Sequence, residues 1–199
     1  MAVPVEHDER RKKILEKALA VFVSDGFENA TFQKIADKSG ITRTILYLYF
    51  KNKKEIFNYS IKQLLSNVEE NIVLIIDDNS LDYVKKITKT LSVVLKQLEK
   101  NSQLLSVILN YLLHISKGDS DPESRVTRRT VRFKRFLSKM IIEGMRAGEL
   151  KKIDVKTTVN YLYSFVESGI FQLVVLKRKH LDELKEMVVF AISQLGTDS

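Results

Sequence analysis

The 199-residue chain has no cysteine, two prolines and seven glycines. Without cysteine there are no disulfides, thiolate nucleophiles or zinc–thiolate sites, a composition that suits a reducing compartment. Pro4 and Pro122 both fall at expected boundaries, so long stretches are free of helix breakers and an all-helical chain is expected. No apolar run approaches the ~18 residues a membrane-spanning helix needs; Ile72 to Ile76 is among the longest. The opening stretch AVPVEHDERRKK is charged and has no apolar signal core, which points to a cytoplasmic protein without a membrane association. His7, His114 and His180 are far apart and form no pair at metal-ligand spacing, so no metal is expected. No Ser-His-Asp ordering, phosphate loop or dinucleotide fingerprint occurs, and carboxylates such as Glu143 and Glu167 stand isolated on apolar helices. Nothing points to an enzyme or to a cofactor.

What is present is an ordinary globular composition, 44% hydrophobic and 29% charged, with a net charge of +8. That charge permits an anionic partner, but its distribution misleads. Residues 1–58 hold 11 basic against 8 acidic residues, whereas residues 122–152 hold 10 against 3.

Apolar residues recur at helical spacing along most of the chain. Ile14, Leu15, Ala18, Leu19, Phe22 and Val23 mark a first helix over 9–24, ended by Gly26. Thr31 can cap a second short helix, Gly40 stands where it must stop, and Thr42 can cap a third. Asn52 can launch a long helix to about Asp77, its stripe running from Phe57 through Ile61, Leu64, Leu65, Val68 and Ile72 to Ile75. Ser80 is the expected cap of the next helix, and Asn101-Ser102 restarts the chain into a leucine-rich one. Gly118–Pro122 reads as a loop, Asp121-Pro122 as the start of a helix ending near Gly148. Ile153-Asp154 opens a helix to about Lys177, and Leu181 to Leu195 gives the last. About nine helices are expected, with no strand pattern and no internal repeat.

Two short helices joined by a tight turn are the helix-turn-helix plan, which seats a recognition helix in the DNA major groove. Arg43, Thr44, Tyr47 and Tyr49 cluster in its second helix, offering a cation, a hydroxyl and phenolic rings. That chemistry suits phosphates and base edges. The stretch Arg11–Phe57 resembles the DNA-binding domain of the tetracycline-repressor (TetR) family of bacterial regulators. The resemblance runs through Ile14, Ala18, Phe22, Gly26-Phe27, Thr31, Ile35-Ala36, Gly40-Ile41-Thr42, Leu46-Tyr47, Tyr49-Phe50 and Lys53, without a gap. Thr44, Ile45 and Leu48 depart from the usual pattern, which has a small residue, a threonine and a polar residue there. These departures leave open which bases are read.

The resemblance implies an all-α protein with an N-terminal helix-turn-helix domain, residues 1–52. A larger ligand-binding and dimerisation domain follows, residues 53–199, with helix 53–77 connecting the two. The implied function is a ligand-responsive repressor, a homodimer on palindromic double-stranded operator DNA, released by a small-molecule effector. Thr31, Gln33, Thr42, Arg43, Thr44, Tyr47, Tyr49 and Lys53 are the implied DNA-facing residues. Arg43 suits a bidentate pairing with guanine, while Tyr47 and Tyr49 either hold phosphates or pack half-buried. Tyr111, His114, Phe133 and Phe136 are candidates for a ligand pocket, or else core. The implied two-fold interface is built from Val159, Leu162, Tyr163, Val166, Ile170, Leu173, Leu184, Val188 and Ile192, with Gly169 allowing close approach. Arg125, Arg128, Arg132, Arg135 and Lys139 line one side of a helix and form either an anion-attracting surface or a solvated face. The rival reading is a helical ligand-binding or scaffold protein whose first domain has lost DNA binding.

Overall fold

The computed structural model describes residues 3–114 and 121–197, and these form nine helices. They are α1 (Val3–Asn29), α2 (Phe32–Ser39), α3 (Arg43–Tyr49), α4 (Lys53–Asp77), α5 (Tyr83–Lys100), α6 (Ser102–His114), α7 (Asp121–Arg146), α8 (Val155–Val174) and α9 (Asp182–Ser193). Among the described residues the only β pairing is an isolated antiparallel bridge between Leu150 and Gly196. None of the described helices is long and apolar enough to cross a membrane. Of the expected loop Gly118–Pro122, residues 118–120 lie outside the described residues.

Side-chain caps start four of these helices where the sequence places them. Thr31 Oγ1 accepts from the Lys34 N–H at 3.2 Å, Thr42 Oγ1 from Ile45 at 3.2 Å, and Asn52 Oδ1 from Glu55 at 2.8 Å. Asp154 Oδ1 likewise accepts from Thr157 at 2.7 Å. Ser80 is not the cap of α5. Its N–H and hydroxyl are both turned back onto Asp78, and Asp82 caps the helix by accepting from Lys85 at 2.7 Å. The first helix also begins earlier than its apolar stripe, at Val3, and the non-helical backbone of Gly26 breaks it where the sequence ends it, a short second piece running on to Asn29. At φ 75°, ψ 169°, Gly26 occupies backbone space essentially closed to other residues.

The chain divides into two compact units, one of residues 1–67 with 106–111, the other of 68–105 with 112–199. The division falls inside α4, not at its start. In the first unit Ile14, Leu15, Ala18 and Phe22 of α1 are buried together with Ile35, Ala36, Leu46, Phe50, Ile56 and Phe57. Phe22, Phe27, Phe57 and Tyr111 form an aromatic cluster with centroid spacings between 4.3 and 5.9 Å. The buried Ser60 hydroxyl is satisfied by donating to the Leu15 carbonyl at 3.0 Å.

The second unit packs α5 against α7, α8 and α9 around Ile87, Leu91, Leu95, Leu137, Met140, Leu162, Val188 and Ile192. Two of its helices borrow their N-terminal caps from elsewhere in the unit. The Glu149 carboxylate accepts from the Tyr83 N–H at 2.6 Å, and Glu99 accepts from the Leu181 N–H at 2.6 Å while pairing with Lys185 at 2.8 Å. The Glu99 hydrogen bond holds the Lys185 ammonium above the ordinary lysine pKa. At the other end of α4, the buried Lys86 donates to the Ile76 carbonyl at 2.7 Å, a cation on a helix C-terminus.

Gly144 of α7 marks the tightest approach among the described glycines of this unit. A Cβ there would lie 2.6 Å from Leu150 Cδ1 and 2.8 Å from Tyr83 Cβ, whereas at Gly169 the nearest atom would be 3.1 Å away. Gly144→Ala is expected to lower stability by about 1–3 kcal/mol, the cost of overpacking a filled core. Gly169→Ala is expected to cost less. Urea unfolding followed by circular dichroism measures both, and equal midpoints would refute the ranking.

Candidate nucleic-acid interface

Two short helices and the turn between them build the site. Gly40 takes the left-handed backbone, φ 67° and ψ 31°, and ends α2 in a Schellman motif. Its N–H donates to the Asp37 carbonyl and the Ile41 N–H to the Ala36 carbonyl, each at 3.1 Å. Thr42 then restarts the chain as the cap of α3. Ile35 and Ala36 of α2 and Leu46 of α3 are buried, and the Phe32 and Tyr47 rings stack at 4.6 Å across the two helices. Helices of eight and seven residues are too short to be stable alone, so this packing is what holds them.

Burying Leu46 turns the opposite side of α3 outward. Arg43, Thr44, Tyr47 and Leu48 are exposed, Tyr47 at 49% and Leu48 at 76%. Arg43 Nη2 donates to Tyr47 Oη at 3.1 Å, and its guanidinium lies 5.5 Å from that ring's centroid. A neutral phenol orders the side chain, so the guanidinium keeps its charge and its remaining donors. Thr31 and Thr42 accept backbone N–H groups through their oxygens, which leaves both hydroxyl protons to donate. Gln33 is exposed, with its amide donating to Asp37 at 2.7 Å.

Tyr49 and Lys53 are less free than the sequence suggests. Tyr49 is half-buried, its ring stacked 4.4 Å from His7. Lys53 Nζ donates to the Glu28 carbonyl at 2.9 Å and sits 4.6 Å from the Phe27 ring centroid, tying α4 to the end of α1. One of its three N–H donors is thereby spent. Lys34 similarly pairs with Asp25 at 2.5 Å, and this hydrogen bond holds the Asp25 carboxyl below its usual pKa. Lys51, not singled out in the sequence, is exposed in the turn after α3, and only a count of local charge could have found it.

The candidate ligand residues are not gathered in one unit. Tyr111 belongs to the first, packed 4.3 Å from Phe27 and 5.0 Å from Phe57. Phe133 and Phe136 belong to the second, partly buried against its core. The His114 side chain lies outside the described residues, as does that of Arg125. The basic face of α7 is partly neutralised within its own unit: Glu69 pairs with Arg132 at 3.1 Å and, more closely, with Arg129. Lys139 reaches Glu143 at 4.0 Å.

The expected dimer residues require a correction. Val159, Leu162, Val166, Leu173, Leu184, Val188 and Ile192 are buried in the chain's own core, with Tyr163 and Ile170 packed partly against it. Gly169 is buried among Leu95, Leu181 and Leu184. The apolar stripe left outward on α8 and α9 is a different one: Tyr161, Phe171, Val175, Met187 and Phe190. Both helices are apolar on two sides, and helical periodicity alone does not say which side faces inward.

Residues 14–59, the segment that carries this interface, match the family model of bacterial regulatory proteins of the tetR family. Over 176 residues the chain is 26% identical to an HTH-type transcriptional regulator, YfiR, of Bacillus subtilis (strain 168), covering 85% of this chain and 82% of that protein. It is 22% identical over 173 residues to a fatty acid metabolism regulator protein of the same organism, covering 84% and 85%. A TetR transcription regulator from Haloarcula marismortui superposes with a TM-score of 0.83 at 15% identity, over 96% of this chain and all of that one; that likeness carries the fold. Helix order, interface and family match agree: the chain belongs to the TetR family and is a helix-turn-helix transcriptional regulator.

Proposed function

We propose that this regulator is a repressor that binds a palindromic operator as a homodimer and leaves it when a small molecule binds. The exposed surface of α3 carries this reading, because Arg43 is held in place by a neutral partner with its donors facing outward. Residues 1–52 serve as the DNA-binding part, helix α4 connects it to the rest, and the helices that follow bind the effector and pair with a second copy. The outward stripe of α8 and α9, with Phe190 68% and Val175 59% exposed, supports that pairing. The effector is apolar or amphipathic, in keeping with the leucine-rich α6, and the arginine face of α7 leaves room for an anionic group on it. Release requires that it favour a dimer whose recognition helices no longer match major grooves about 34–36 Å apart. Helix α4 is the element for that coupling, since its first turns belong to one unit and its last, held by Lys86, to the other.

Selection of duplexes from a random pool at low salt is expected to enrich palindromic sites. The absence of enrichment would favour the rival ligand-binding or scaffold reading.

Arg43→Ala is expected to cost about 1–3 kcal/mol on the selected operator and to relax one base position, with little effect on random DNA. Lys53→Ala should weaken both duplexes alike, lower the salt slope by roughly one unit and also reduce thermal stability, because it unties α4 from Glu28. Fluorescence anisotropy at several salt concentrations separates the two. Equal losses for Arg43→Ala on operator and random DNA would rule out base reading by this residue.

Phe190→Arg places a charge in the outward α8–α9 stripe and is expected to convert a dimer into a folded monomer with much weaker operator binding. Light scattering coupled to gel filtration reads the mass. An unchanged dimer would place the interface elsewhere.

A further inference from the structure

Leu48 is the residue of the recognition helix that no polar role explains. It is 76% exposed on a seven-residue helix whose inward side is already filled by Leu46. Thr44, four residues earlier and therefore on the same face, is also exposed and carries a methyl group. Beside them Arg43 and Tyr47 are joined at 3.1 Å, and the Tyr47 ring rests on Phe32 at 4.6 Å. The apolar pair Thr44–Leu48 is thus flanked by an ordered polar pair.

A leucine side chain has neither donor nor acceptor, so it reads no amide, carbonyl or phosphate of a duplex. The apolar group that the major groove displays on a base edge is the 5-methyl of thymine. Charge favours a polyanion as the partner, which on the reading of α3 is DNA. Between Asp37 and Glu55 the sequence has no acidic residue and five basic ones, Lys38, Arg43, Lys51, Lys53 and Lys54. An apolar protein surface would gain nothing from that field, whereas a polyanion would.

Resting on the reading of α3 as a recognition helix, we propose that Leu48, supported by Thr44, is a specificity-determining residue that packs on a thymine methyl in each operator half-site. The operator of this regulator accordingly carries at least one thymine per half-site whose methyl group matters.

The test uses the full-length protein and the operator enriched from a random pool. Each thymine of a half-site is replaced in turn by deoxyuridine, which removes only the methyl. At one or two positions the wild-type protein is expected to lose about three- to tenfold in affinity, the worth of burying a methyl-sized group. Leu48→Ala should bind the intact operator more weakly by a similar factor and be indifferent to deoxyuridine at those positions. Leu48→Gln, selected on the same pool, should change the enriched base at those positions and nowhere else. Because Leu48 is exposed, both variants should keep the wild-type circular dichroism spectrum. A wild-type protein indifferent to every deoxyuridine, or equal sensitivity in wild type and Leu48→Ala, overturns this assignment while leaving specific DNA binding in place. Failure to enrich any site at low salt overturns the DNA-binding reading itself, and this assignment with it.

Discussion

The left-handed turn at Gly40 fixes where the chemistry of the first unit can point. With φ at 67°, the backbone leaves α2, satisfies two of that helix's orphan carbonyls and delivers Thr42 as the cap of α3 within three residues. A side chain there would face no obstruction, since no atom lies within 4 Å of a built Cβ; the demand is conformational. Once the turn is set, burying Ile35, Ala36 and Leu46 leaves one orientation for α3. Arg43, Thr44, Tyr47 and Leu48 then face outward together. Neither short helix would persist without the body formed by α1 and the start of α4, so the interface is rigid only because it is packed. Lys53 and Asp25 contribute to the same end by tying neighbouring segments through a carbonyl and an ammonium.

The second unit solves its helix ends by long-range means. Glu99 on α5 supplies the acceptor that the start of α9 lacks, and Glu149 does the same for α5 alongside Asp82. These carboxylates fix α5 to α9 and to the turn after α7, so their charges organise the core. Glu69 has a similar part at the basic face of α7, where it gathers Arg129 and Arg132.

Local chemistry made much of this legible beforehand. Thr31, Thr42, Asn52 and Asp154 cap their helices because a short polar side chain before an apolar stripe has few better uses. Ser80 failed as a cap for the same reason in reverse: Asp78, two residues away, offered its hydroxyl a closer acceptor. The capture of Lys53 by Glu28, 25 residues distant in sequence, leaves no periodic trace. Tyr111, which looks like a polar interruption of a leucine helix, packs edge-on against Phe57 and tilted against Phe27. Periodicity found α8 and α9 but not their inward sides. An apolar position marks the inward side only in a helix with one apolar face; here Leu162 points in while Tyr161, its neighbour, points out.

Net charge pointed toward residues 122–152, whereas the helix-turn-helix lies at residues 32–49, and part of the charge on α7 is answered within its own unit. A basic surface attracts a polyanion through uncompensated charge, and the excess of α7 is partly answered by Glu69 and Glu143. The segment around α3 has a smaller excess overall, yet its acids stop at Asp37 and resume only at Glu55. Of the basic residues between, Arg43 is ordered by a phenol and Lys53 by a carbonyl and a ring, none of which cancels charge. At ionic strengths where charges more than about 8–10 Å apart are screened, this local balance, with the Glu55 carboxylate on the Lys51 N–H at 2.6 Å as a near acid, governs what the surface attracts more than the total of the chain does.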